Sequence, residues 1–309
     1  MPTPPLFGSH LSVAGGMVNA LLEAERLKMD TVQVFTKNQQ QWKVKPLDPG
    51  ASADWLGKLK ELGWEDRTVS HASYLINLAS PDDELWNKSI DLMTVELERC
   101  EALSIPFLVH HPGAYTTSTP ARGLARIAKA YKTLLKRTAG VNVTLCLENT
   151  VGSGSNLGRT FEQLAQLREM ILDRAPVPNR VGFCFDTCHA HAGGYDMSDR
   201  TTADYALDHF DHTCGLRRLH VLHLNDSKTP FDSRKDRHEH IGLGSITNPP
   251  APSGKPARKA LKRTGFAAIV NRPELADRPM IMETPKGVDE RGRPFDAQNL
   301  RRLRSLVGI

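Results

Sequence analysis

The chain has 309 residues, 39% of them hydrophobic and 24% charged, a balance that suits a globular protein with a sizeable core. It contains no apolar run near the ~20 residues of a membrane helix, and its opening MPTPPLFGSH lacks the basic and apolar regions of a signal peptide, so a cytoplasmic, nucleoid-associated location is expected. Five cysteines, an odd number, argue against a disulfide framework, and a net charge of +5 suits a polyanionic partner without requiring one.

Taken in chain order, short apolar runs alternate with segments of helical periodicity. PLFGSH ends at His10 and precedes a helical stretch over Gly15–Met29; TVQVFT ends at Thr36. RTVSH ends at His71 and is followed by a helix over Asp82–Leu103, and PFLVHH ends at His111 and is followed by one over Ala121–Arg137. VTLCLEN carries Glu148, after which Thr160 offers an N-cap to TFEQLAQLREMILDR. VGFCFDT, RLHVLHLND and PMIMETP then carry Asp186, His223 and Glu283. Near-continuous apolar strands alternating with helices indicate a parallel sheet covered by helices. Eight such units predict an α/β protein with a single (β/α)8 TIM barrel over residues 1–309; a doubly wound sheet is the competing arrangement. The Pro/Gly/Ser-rich and then basic segment 247–263 reads as a flexible insertion within that barrel.

The strand ends carry the chemistry. His10, His71, His111, Glu148, Asp186, His223 and Glu283 close successive apolar runs, and a barrel brings those ends together at its C-terminal face. One histidine after a strand is ordinarily a hydrogen-bonded core residue. Several carboxylates and imidazoles at one barrel mouth require compensating positive charge, most simply divalent metal. An imidazole-rich set favours zinc, with manganese or iron as alternatives. Carboxylates that bridge two ions would suit phosphodiester hydrolysis. Cys184 and Cys188, spaced C-x₃-C without a second pair, read as buried structural thiols. The stretch DSRKDRHEHIGLGSI (residues 232–246) is not an H-E-x-x-H helix, and Gly242 and Gly244 make it a loop.

The motifs GSHLSVAGG, VFTKNQQQW, SHASYLINLAS, HHPGAY, LENTVGSGSNLG, DTCHAHAGGYD, HLNDSK, DRHEHIGLG and METP occur in that order. Together they resemble the endonuclease IV family of apurinic/apyrimidinic endonucleases over essentially the whole chain. The resemblance implies a DNA-repair hydrolase with three zinc ions, manganese being able to replace zinc at one position. Such an enzyme cuts 5′ to abasic sites in duplex DNA, leaves a 3′-hydroxyl and trims blocked 3′ ends. It also implies a monomer whose nucleophile is a hydroxide shared by two ions.

Carried onto this sequence, the resemblance assigns His71, His111 and Glu148 to a first ion, with Glu148 shared with a second. Asp186, His223 and Glu283 complete the second, and His189, Asp236 and His238 hold the third. Glu148 is expected to orient the nucleophile as well as bridge. Tyr74 and Leu75 match residues that wedge into bent duplex, and Lys37, Lys228 and Arg237 are candidate phosphate contacts. Gln40 stands where bacterial members often carry an arginine, which puts its gap-filling role in doubt. His111, directly before Pro112, is preferred to His110, and His191 and His240 are read as bystanders. The rivals are a metal-dependent sugar isomerase or epimerase of the related barrels and a noncatalytic damage-binding protein. The first would need neither the DRH segment nor the NQQQW and SYLINL loops.

Overall fold

The computed structural model describes residues 4–249 and 260–308. Strand β1 (Leu6–His10) leads into helix α1 (Val18–Arg26), followed by β2 (Thr31–Val34), α2 (Pro49–Leu62), β3 (Val69–His71), α3 (Asp83–Ala102), β4 (Phe107–His110), α4 (Pro120–Arg137), β5 (Thr144–Glu148) and α5 (Phe161–Leu172). Next come β6 (Val181–Asp186), the short α6 (Thr187–Gly193), α7 (Arg200–Thr213) and β7 (Leu219–His223). A two-residue pair, β8 (Asp226–Ser227) and β9 (His238–Glu239), precedes α8 (Gly265–Val270), β10 (Pro279–Met282) and α9 (Phe295–Arg304). Strands β1 to β7 and β10 close a barrel in the order β1-β10-β7-β6-β5-β4-β3-β2, with parallel pairing throughout. The expected TIM barrel is therefore the fold, and the doubly wound alternative is not.

Local chemistry explains why the helices start where they do. Asp48, Asp82, Thr119 and Thr160 each accept a backbone N–H three residues on, at 2.7–3.3 Å, which satisfies donors that the first helical turn leaves open. Helix α4 buries Leu124, Ile127, Ala128, Tyr131, Leu134 and Leu135, a stripe at i, i+3 and i+4 facing the barrel. Truncating Leu134 to alanine in that stripe would cost about 2–5 kcal/mol. Helix α2 buries fewer side chains fully, Trp55 and Leu59, and its apolar periodicity is correspondingly weak in the sequence.

Inside the barrel, Val69, Val109, Cys146, Cys184, Val221 and Ile281 pack as one apolar layer. A strand returns to the same face every second residue. Two positions beyond each layer member stand His71, His111, Glu148, Asp186, His223 and Glu283. The layer thus forms a dry floor beneath six polar side chains at the C-terminal mouth.

The run RLHVLHLND does not continue as one strand. β7 stops at His223, and Asp226–Ser227 pairs antiparallel with His238–Glu239. Asp226 drives this break: its buried carboxylate accepts N–H groups from Gly242 (3.0 Å) and Ile246 (3.0 Å) and the Thr247 hydroxyl (2.9 Å). Gly244 has to be glycine, because a Cβ there would collide with the Ser227 carbonyl oxygen. Of the insertion expected over 247–263, residues 250–259 lie outside the described residues; Leu261–Arg263 form a short 3₁₀ turn ahead of α8.

Candidate metal centre

Glu148 is the hub of the barrel mouth. Its fully buried carboxylate divides its two oxygens: Oε2 lies 3.2 Å from Nε2 of both His71 and His111, while Oε1 lies 2.9 Å from His223 Nδ1 and 3.3 Å from His189 Nδ1. Burial pushes this carboxyl upward, but the surrounding imidazoles, His223 foremost, hold it well below the usual range. Among the described residues, ligand-capable atoms form overlapping groups, each within 4.8 Å, and three of them hold the expected ligands: His71, His111 and Glu148; Glu148, Asp186, His223 and Glu283; and His189, Asp236 and His238. Two more bring Cys184 to Glu148 and His223, and Cys188 to Asp186 and His238. All nine expected ligand positions are therefore brought together, although they come from strand ends and loops far apart in the chain.

Neighbouring groups decide which atom each side chain offers. His71 Nδ1 faces the Ala72 carbonyl at 2.8 Å, so that nitrogen carries the hydrogen and Nε2 points inward. His189 Nδ1 does the same toward the Asn149 carbonyl at 3.0 Å. Asn149 also accepts from the Asp186 backbone N–H (2.7 Å), and Asn225 donates to Asp186 Oδ2 (2.6 Å) while accepting from the Glu283 N–H (2.7 Å). These two asparagines lock the strand ends on either side of Asp186. Both sit inside quoted motifs, LEN and HLND, and their adjacency to ligand positions was the available signal. Gln33, which no motif marked, is hydrogen-bonded to both His223 and Glu283.

The third group gives the sharpest test of fit. His189 Nε2 and His238 Nε2 are buried, and neither makes a well-directed hydrogen bond. The Asp236 carboxylate stands 3.1 Å from the first and 3.4 Å from the second. Two buried imidazole nitrogens without well-directed hydrogen bonds, converging on one carboxylate, form a donor set suited to a zinc-like cation. The β8–β9 pairing holds the loop in place: Lys228 N donates to the Arg237 carbonyl at 2.8 Å, and Ser245 N to the Ser227 carbonyl at 2.6 Å.

Other sequence candidates divide. His110 turns away from the mouth and meets the Tyr131 hydroxyl at 2.5 Å, leaving His111 at the centre. His191 is buried near Asp196 and Phe231, and His240 stacks on Phe295; neither joins the three groups. All five cysteines are free and buried. Tyr74 is 65% exposed above the first group, edge-on to Phe35 at 5.7 Å and tilted against His71 at 5.5 Å. Leu75 is half-buried beside it, whereas Gln40, Lys228 and Arg237 are exposed around the mouth.

Lys37 corrects the expectation of a free phosphate contact. Its side chain is only 5% exposed, lies 3.8 Å from Glu96, and donates to the Asn38 and Gln41 carbonyls at 2.9 Å each. The ammonium shapes the loop bearing Gln40 from within. Glu96 in turn accepts the Ser73 N–H at 3.1 Å, and the Ser73 hydroxyl donates to the Gln39 carbonyl at 2.6 Å, so the Gln40 and Tyr74 loops are tied together.

Two clefts flank His111. One, of about 200 Å³, is lined by Tyr74, Asn77, His71 and Asn156 among others. The second, of about 280 Å³, is lined by Asn156, His189, Lys235, Asp236 and Arg237 among others.

Comparison with known proteins agrees with this geometry. The xylose isomerase-like TIM barrel family matches residues 21–294. A probable endonuclease 4 from Chloroflexus aurantiacus is 43% identical over 98% of both chains, and one from a Geobacter species is 38% identical over 98% of this chain and 99% of its own. The crystal structure of endonuclease IV from Thermus thermophilus superposes with a TM-score of 0.78 at 35% identity, covering 98% of each chain. A D-tagatose 3-epimerase-like protein also superposes, with a TM-score of 0.68, over 97% of this chain and 96% of its own, but at 16% identity it shares the fold alone. Full-length identity to the endonucleases, joined to the three ligand-capable groups at the barrel mouth, shows that the chain belongs to the endonuclease IV family.

Proposed function

We propose that this protein is a DNA-repair AP endonuclease that hydrolyses the phosphodiester 5′ to abasic sites in duplex DNA, leaves a 3′-hydroxyl, and trims blocked 3′ ends. The observation that carries the reading is the third group, His189, Asp236 and His238, placed beside the shared Glu148. A sugar-converting barrel has no use for it. In this reading three zinc ions bind, one per group, with manganese accepted at one position. His71, His111 and Glu148 hold the first, Glu148, Asp186, His223 and Glu283 the second, and His189, Asp236 and His238 the third. Such ions supply a nucleophile at neutral pH and neutralise charge on the phosphate and the leaving oxygen.

The chain's own residues do the rest. Glu148 Oε1 and Oε2 face different groups, so this carboxylate fixes the spacing of the first two positions and orients the attacking oxygen. The apolar floor beneath them excludes water from below. Tyr74 and Leu75 enter the duplex as it bends, and an abasic nucleotide, unpaired and unstacked, is the easiest to flip out. Gln40 hydrogen-bonds at the gap without adding charge. Arg237 and Lys228 take backbone phosphates. The protein acts as a monomer in the cytoplasm, associated with the nucleoid; among the described residues no helix is long and apolar enough to cross a membrane.

The reading is tested by offering metal-replete protein two substrates, a duplex with one abasic analogue and a ketohexose. Incision of the duplex without change in the sugar is expected. Epimerisation without incision would transfer the protein to the sugar-converting barrels.

A further inference from the structure

Strand β2 contributes no ligand-capable residue to the three groups, yet it places a fully buried amide, Gln33, against the second one. Gln33 Nε2 lies 2.6 Å from Glu283 Oε1 and 2.9 Å from His10 Nδ1, and Gln33 Oε1 lies 2.8 Å from His223 Nε2. The Glu283 carboxylate can only accept, so the amide nitrogen faces it and the amide oxygen is left for His223. His223 must then carry a hydrogen on Nε2. Its Nδ1 turns toward Glu148 Oε1 at 2.9 Å and Glu283 Oε2 at 3.2 Å.

We infer that Gln33 is a positioning residue for the second metal position: its amide selects Nδ1 of His223 and Oε2 of Glu283 as the atoms presented to a divalent ion. This rests on the metalloenzyme reading above and deepens it. Packing alone would be served by an aliphatic residue, as Val32 and Val34 serve the outer face of the same strand. The amide instead uses both ends, one to orient each side chain, and its nitrogen also lies 2.9 Å from His10 Nδ1. Outer-shell partners of this kind fix the tautomer and direction of metal-binding side chains.

The test uses full-length protein stripped of metal and titrated with zinc alone against a chromophoric chelator. Wild type is compared with Gln33→Met, which keeps the volume and removes both hydrogen bonds. Stepwise affinities and the thermal midpoint of the metal-free protein are recorded. One of the bound ions is expected to weaken about 10- to 100-fold in Gln33→Met while the midpoint holds. Gln33→Glu retains an acceptor for His223 but loses the donor to Glu283; it is expected to weaken the same ion, and it serves if the methionine variant does not fold. Unchanged affinities in both variants, or uniform weakening of all ions together with a lowered midpoint, would overturn the inference. No zinc bound by wild type would overturn the metalloenzyme reading itself, and the inference with it.

Discussion

His189 Nε2 lies 3.1 Å from Asp236 Oδ2, joining the first turn of α6 to the loop between β8 and β9. Neither residue is explained by packing. Burial works against the Asp236 charge, and the His189 imidazole more than offsets it, holding the carboxyl well below its ordinary range. Replacing Asp236 with asparagine keeps the shape and removes the charge. Asp236→Asn should lose one ion of the three, its affinity falling at least about tenfold, with the other two retained. Elemental analysis after gel filtration reads the stoichiometry, and an unchanged count would remove Asp236 from the centre.

Glu148 serves two groups at once, so its loss should be more damaging. Glu148→Gln is expected to release more than one ion and to slow single-turnover incision by about 10²–10³ or more. Incision near the wild-type rate would show that the divided carboxylate has no part in the chemistry.

Glu96 provides a pH signature from a carboxylate outside the three ligand groups. Burial lifts its carboxyl to about 7 against the pull of Lys37. A folded-state pKa raised above the ordinary 4.5 means the stabilising contribution is complete below about pH 4.5 and lost as pH rises through about 7. The shift corresponds to roughly 3 kcal/mol at ~1.4 kcal/mol per pH unit. Denaturant unfolding of metal-free wild type and Glu96→Gln from pH 4.5 to 8 isolates it: the difference between the two curves should slope across this window. Parallel curves would mean that Glu96 titrates normally.

Much of this was legible in the sequence, for identifiable reasons. The six strand-end residues stand out because β-strands alternate with period two and each follows an apolar layer residue by two, as Cys146 precedes Glu148 and Ile281 precedes Glu283. Thr160 announced its helix because N-capping is local chemistry. Lys37 was misread because its partner, Glu96, lies on α3, and nothing near Lys37 in the chain says which way the ammonium turns. Gln33 was missed because a buried amide has meaning only through the three side chains it meets, on β1, on β7 and beside β10. The break after His223 depends on Asp226 gathering N–H groups from residues 242 and 246, a contact that the run RLHVLHLND does not announce.

Tyr74, 65% exposed over the first group, should act on DNA and not on metal. Tyr74→Ala is expected to weaken binding to abasic duplex by about 1–3 kcal/mol, the scale of one aromatic–base stack. Metal content should stay constant and stability should move by no more than about 0.5 kcal/mol. Fluorescence anisotropy on abasic and intact duplexes reads the effect; equal affinity of wild type and variant for both would take Tyr74 out of the recognition surface.

The most direct test of the account is the position of the cut. A duplex carrying a single tetrahydrofuran abasic analogue, labelled at the 5′ end of the damaged strand, is incubated with metal-replete protein, with protein stripped by prolonged chelation, and with stripped protein reloaded with zinc. The account predicts one incision immediately 5′ to the analogue with a 3′-hydroxyl end, its loss on stripping and its return on reloading. Metal-replete protein that leaves the strand intact, or a cut that survives complete removal of metal, would contradict it.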